Sequence, residues 1–140
     1  MEIEFLIIAD AVEAVGGKLY MIGGAWDRWN SRTYPSPIRV GIAIGLLVPW
    51  DETNQKHSIS VSIVDADGGR VVPEMGADVE VGRPPGMRAG SAQRAVLAIN
   101  AGFPLASPGR YEVCVAGPNG VEKTVTFDAV LAGRGPLEVQ

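Results

Sequence analysis

The sequence predicts an all-β protein, two stacked antiparallel sheets of about eight strands forming one domain, and three observations carry that expectation. Apolar residues recur with period two, as in Ile59, Val61 and Ile63 against Ser58, Ser60 and Ser62, which marks a strand with one buried and one wet face. The 18 glycines and 10 prolines fall between apolar runs, where turns require them. No window keeps the three-to-four spacing of a packed helix long enough, although residues 10–15 allow a single helical turn. Strands without intervening helices favour a sandwich over an α/β fold.

Taken in chain order, strands are expected at residues 2–9, 18–23 and 38–48, from Ser58 onward, at 71–81 and 91–100, through Tyr111, Val113 and Val115, and at 121–128. Gly16-Gly17, Asp67-Gly68-Gly69 and residues 82–90 separate them. In the central run, Ile38, Val40, Ile42, Ile44, Leu46 and Val48 share one face, while Gly41, Ala43, Gly45 and Leu47 share the other. A face of such small residues lets either a covering loop or a neighbouring subunit approach the backbone, and the loop is the commoner use. Pro118-Asn119-Gly120 supplies the positive φ angles of a tight hairpin between the last two strands. The domain is thus expected to span residues 1–128 and residues 129–140 to form a C-terminal tail, of which residues 133–140 lie outside the sandwich and meet a neighbour or a strand edge.

Composition narrows the function. A chain of 140 residues, 46% hydrophobic and 20% charged, has the make-up of one folded domain. Its net charge of −4 disfavours nucleic acid and anionic membranes, both of which recruit positive charge. The run 38–48 is too short and too mixed to cross a bilayer. Glu2 and Glu4 stand where a secretory signal carries positive charge, and the one cysteine forms no intrachain disulfide, so a cytoplasmic protein is expected.

The segment Pro108-Gly109-Arg110-Tyr111, followed by alternating strands and an Asn-Gly turn, resembles the closing hairpin of many immunoglobulin-like domains. There a tyrosine ring packs in the core and its hydroxyl bonds to upstream backbone. The expected fold is therefore an immunoglobulin-like antiparallel β-sandwich. Further stretches are Ile8-Ala9-Asp10, Gly17-Lys18-Leu19-Tyr20, Gly23-Gly24-Ala25-Trp26-Asp27, Val48-Pro49-Trp50-Asp51-Glu52-Thr53-Asn54 with His57, Asp65-Ala66-Asp67-Gly68, and Asn100 through Pro104 and Tyr111 to Phe127. Across most of residues 1–128 the chain is similar to a family of small, uncharacterised bacterial β-sandwich proteins, a domain of unknown function. The resemblance implies the fold and no activity.

Nucleophilic catalysis needs a base within hydrogen-bond reach of the nucleophile. Cys114, between Val113 and Val115, reads as a packed, inert thiol, and His57 as a residue at a wet sheet edge. With one cysteine and one histidine the chain lacks the nitrogen and sulfur ligands of a zinc site. Asp65-Ala66-Asp67-Gly68-Gly69 lacks the later ligands of a calcium loop and reads as a turn. Asp51-Glu52-Thr53-Asn54, beside Trp50 and His57, offers acid, base and sugar-stacking groups and equally good turn formers. Gly16-Gly17 and Gly23-Gly24 lack the lysine and helix of a phosphate loop.

Recognition is better represented. Residues 25–35 hold Trp26, Arg28, Trp29, Arg32 and Tyr34 in a predicted loop, and these residue types dominate binding hot spots. Trp29 and Arg28 are the expected anchors, with Trp26 turned toward the core. Tyr34 and Trp50 complete the candidate binding residues, and the basic loop 82–90 is a second candidate surface. The expected function is a non-catalytic binding or self-assembly module acting through loops and sheet edges, on a protein partner or a second copy, without metal or cofactor. The alternative is a carbohydrate or small-ligand site built on the loop tryptophans.

Overall fold

A computed structural model describes residues 1–133. It holds nine strands: β1 (Glu2–Val15), β2 (Lys18–Gly24), β3 (Arg28–Ser31), β4 (Ser36–Val48), β5 (Lys56–Val64), β6 (Met75–Glu80), β7 (Gln93–Leu105), β8 (Gly109–Ala116) and β9 (Glu122–Leu131). A four-stranded sheet, in the order β2-β1-β4-β7, faces a five-stranded sheet, in the order β3-β9-β8-β5-β6. The all-β sandwich that the alternation predicts is the fold.

The core lies between the sheets. Every second residue of β4 from Ile38 to Val48 is buried to 1% exposure or less, and Ile59, Val61, Ile63, Val113, Val115 and Phe127 meet that face from the other sheet. Tyr111 stacks on Phe127 at 5.5 Å, and its hydroxyl donates to the Ser107 carbonyl at 2.7 Å, the upstream bond that the hairpin motif implied. Asn119 and Gly120 both adopt positive φ, 61° and 75°, as the tight turn requires.

The structure departs from expectation at several places. There are nine strands rather than eight, because the predicted loop 25–35 contains β3. This strand lies at a sheet edge and runs parallel to β9, so the sheets are not wholly antiparallel. The cause is a crossing: Ala25, at φ 66°, ends the pairing with β1 and sends the chain from one sheet to the edge of the other. Residues 10–15 are no helical turn but the second half of β1. The strand expected at 71–81 shrinks to Met75–Glu80, and that expected at 91–100 grows to Gln93–Leu105. β9 runs on past residue 128, with Ala129 buried at 4% exposure. Of the expected tail, residues 134–140 lie outside the described residues.

The small-residue face of β4 has a specific cover. β1 pairs with β4 only as far as Ala9 opposite Gly41, while its later residues pair with β2. Beyond that point the β1–β2 hairpin leaves β4 and folds over the outer face of its own sheet. A Cβ placed on Gly41 would lie 3.0 Å from the backbone of Ala11 and Val12, and one on Gly45 would collide with the Phe5 ring. Ala9, Val12 and Ala43 form a second small core there, joined by Ile7, Leu19 and Ala98. The Asn100 side chain acts as a strand partner for the hairpin, accepting from Val12 N–H at 3.0 Å and donating to the Val12 carbonyl at 2.8 Å. Of the two covers the sequence allowed, the structure contains one from within the chain.

Candidate functional site

Three of the five sequence-selected binding residues meet at the β3–β9 side of the sandwich. Alternation along β3 turns Trp29 and Ser31 inward and Arg28 and Asn30 outward. Trp29 is half-buried, lies 6.2 Å from Trp26, and donates through Nε1 to the Oγ of buried Ser36 at 3.3 Å. Trp26 meets Phe127 edge-on at 5.5 Å, and its indole N–H is buried without a partner among the described residues. Tyr34 donates to the Val130 carbonyl at 2.8 Å, and burial, with Tyr111 beside it, raises its phenol above the ordinary value. The expectation of an exposed Trp29 anchor therefore changes: both indoles pack against the core, because the segment is a strand with an inner face rather than a loop. Arg28 alone is exposed.

Trp50 stands elsewhere. Trp29 bonds to the first residue of β4 and Trp50 follows its last, so a 13-residue strand, about 40 Å long, separates them. Trp50 opens a single 3-10 turn, and the Arg83 guanidinium sits 3.9 Å from its ring centroid. Arg83 also donates to the Trp50 carbonyl at 2.7 Å and to Thr53 Oγ1 at 2.6 Å, tying the loop after β6 to the turn after β4. The turn at Trp50 and the loop 82–90 are thus tied together at one end of the sandwich.

The nucleophile and the base stand on opposite faces of the five-stranded sheet. His57 shares the inward parity of Ile59 on β5; it is buried, not at a wet edge, and its Nε2 donates to the Glu52 carbonyl at 2.8 Å. Cys114 shares the outward parity of Glu112 on β8, cross-strand from Ser62 and Thr124. It is half-buried on the solvent face rather than packed in the core. Burial first, then Glu122 and Glu112, push its thiol up to about 11. The Asp65 carboxylate accepts from the Asp67 and Gly69 amides at 3.0 and 2.9 Å, the geometry of a turn. Among the described residues no group of three or more His, Cys, Asp or Glu is placed to hold a metal ion, and no helix is long and apolar enough to cross a membrane.

Of the five large apolar side chains that are exposed among the described residues, four gather on the β1–β2 hairpin, Val15 at 51%, Tyr20 at 56%, Met21 at 39% and Ile22 at 73%, while Leu131 at 58% ends β9. Gly16 and Gly17, at φ 59° and 75°, make a two-residue turn closed by Val15 and Lys18. In such a hairpin the closing pair is hydrogen-bonded and every second pair after it also is. Tyr20 and Ile22 therefore bond toward β1, while the N–H and C=O groups of Leu19 and Met21 point away from it. β2 is an edge strand, so those groups face outward. Leu19 faces the body, and Tyr20 and Ile22 face solvent.

A family model, described as a family of unknown function (DUF6941), matches residues 4–129. The chain belongs to that family. The match spans both sheets and the hairpin, and it attaches no activity to any residue. No curated protein matches the chain.

The hairpin surface and Asn100 were missed by residue-by-residue inspection of the sequence. Two signals were present: Lys18-Leu19-Tyr20-Met21-Ile22 lacks the alternation of a half-buried strand, and Asn100 interrupts a strand of apolar residues.

Proposed function

We propose that this domain is a non-catalytic binding and assembly module of the cytoplasm, immunoglobulin-like in architecture, whose working surface is the free edge and outer face of the β1–β2 hairpin and whose partner is a protein. The observation that carries this reading is the row of exposed Val15, Tyr20, Met21 and Ile22 beside strand groups that no described residue pairs. Natural sheets guard such edges with charge, proline or short length, and an unguarded one recruits another strand. The net charge of −4 supports a protein partner over a nucleic acid. Arg28, outward on the edge strand β3, is a secondary contact, while Trp26, Trp29 and Tyr34 hold that edge in place. A sugar-stacking role for the tryptophans has less support, since Arg83 occupies a face of Trp50 and Trp26 and Trp29 pack on each other.

The test places a photo-crosslinking amino acid at Tyr20 and, as a control, at exposed Ala66 in cells expressing the full chain. Light-dependent protein adducts are expected at Tyr20, with neither a matching level nor the same mass at Ala66. Equal adducts at both positions, or none at Tyr20, contradict the assignment.

A further inference from the structure

Resting on that view of the hairpin as the working surface, we propose that its occupant is a second copy of this chain, joined by antiparallel pairing of β2 with β2 about a two-fold axis through Tyr20. Only part of β2 is able to pair. Gly23 sits at φ 62°, outside extended geometry, and a Cβ built on it would overlap the Asp10 carboxylate, which lies against the strand there. The extended backbone is thus interrupted at Gly23, before the last pair of Gly24 with Ala9, and the uninterrupted segment is Lys18 to Ile22, with Tyr20 at its centre. A two-fold axis at that centre is the register that pairs the whole segment. It sets Leu19 opposite Met21 of the copy, twice. These are the residues whose backbone groups point outward, so each pair exchanges both of its hydrogen bonds.

The side chains agree with the register. Tyr20 meets Tyr20 of the copy in a non-hydrogen-bonded pair, where Cβ atoms approach to about 5 Å and aromatic pairs are favourable. Ile22, the most exposed of the large apolar residues at 73%, falls opposite Lys18 of the copy, whose methylenes cover it while the ammonium reaches water. The two Lys18 charges, the charged groups of β2, lie at opposite ends of the pairing, about 13 Å apart along the strand, so no like charges face each other. Against the single terminal Lys18 of β2, the other sheet edges among the described residues are more heavily guarded against such pairing. β3 has four residues and Arg28, β6 has Asp78 and Glu80, and β7 has Arg94, ion-paired to Glu4, and Pro104. Two five-residue strands, each about 17 Å long, bury less than the roughly 1,200 Å² of a stable interface. The dimer is therefore weak, and its population rises with protein concentration.

Sedimentation velocity of the full chain across a concentration series tests the proposal, with Met21→Pro and Tyr20→Lys as variants. Proline at 21 removes an outward N–H and takes no bond from the β1 ladder; lysine at 20 sets two charges on the axis and keeps the backbone intact should proline disturb the hairpin. The wild type is expected to pass from monomer to dimer as concentration rises, and both variants to remain monomeric with unchanged circular dichroism. A wild type that stays monomeric, or dimers that survive both substitutions, overturns the proposal. A monomeric wild type that still gives adducts with another protein at Tyr20 overturns self-pairing alone, whereas absence of all adducts overturns the binding reading as well.

Discussion

Cys114 shows how a single side chain's face decides its chemistry. Its neighbours Val113 and Val115 point into the core, so period-two alternation places the thiol on the opposite face, beside Ser62 and Thr124. With the thiol pushed up to about 11 from an ordinary 9.0, alkylation by iodoacetamide is expected to be slow at neutral pH and to rise about tenfold per pH unit until near 11; a rate that levels off below pH 9 contradicts this. A raised acid pKa favours the folded state fully below pH 9, and that contribution is lost as pH climbs through 11. Cys114→Ser, on this partly polar face, should shift stability by less than about 1 kcal/mol. Trp26 presents the reverse case. Its ring fills space against Phe127 and Trp29 while its N–H bonds to no protein atom among the described residues. Urea titration is expected to give about 3 kcal/mol lost for Trp26→Ala and clearly less for Trp26→Phe. Equal losses would mean that the indole N–H, not the ring, holds the site.

At the scale of elements, strands with clean alternation were legible and strands defined by their neighbours were not. β5, β8 and β9 read directly because each has one wet face. β3 was hidden because four residues are too few for a pattern, and its hydrogen bonds come from β9, far away in sequence. The second half of β1 was hidden because it folds over the sheet, so its inner and outer faces no longer follow the first half. The small-residue face of β4 announced a close neighbour without naming it. Asn100 pins that neighbour, and Asn100→Ala leaves the Val12 N–H and C=O with no side-chain partner. A loss of about 1–3 kcal/mol is expected, with faster hydrogen exchange across residues 10–22 and little change in β8 and β9. Uniform loosening of every strand would show that the hairpin is not a separate unit. Gly41→Val should be worse than Asn100→Ala, since its side chain meets backbone at 3.0 Å rather than a mobile group.

For the whole molecule, the two sheets and their core followed from composition and alternation, because burying one face of each sheet is the main force that holds a sandwich of this size together. The candidate site was less legible. Tryptophan and arginine in an apparent loop suggested recognition, yet the fold uses Trp26 and Trp29 to close its own side and Arg83 to cover Trp50. Exposed surface depends on which edge the topology leaves unpaired, and no local pattern encodes that. The β1–β2 hairpin folds against its own sheet, and on our proposal β2 offers its free edge to another copy. Amide hydrogen exchange read at single residues, at low and at high protein concentration, addresses both halves at once. The Val12 amide, held by Asn100, should be protected at every concentration, while the Leu19 and Met21 amides should exchange quickly in dilute protein and slow as concentration rises. Leu19 and Met21 amides that exchange at the same rate throughout the series would contradict it.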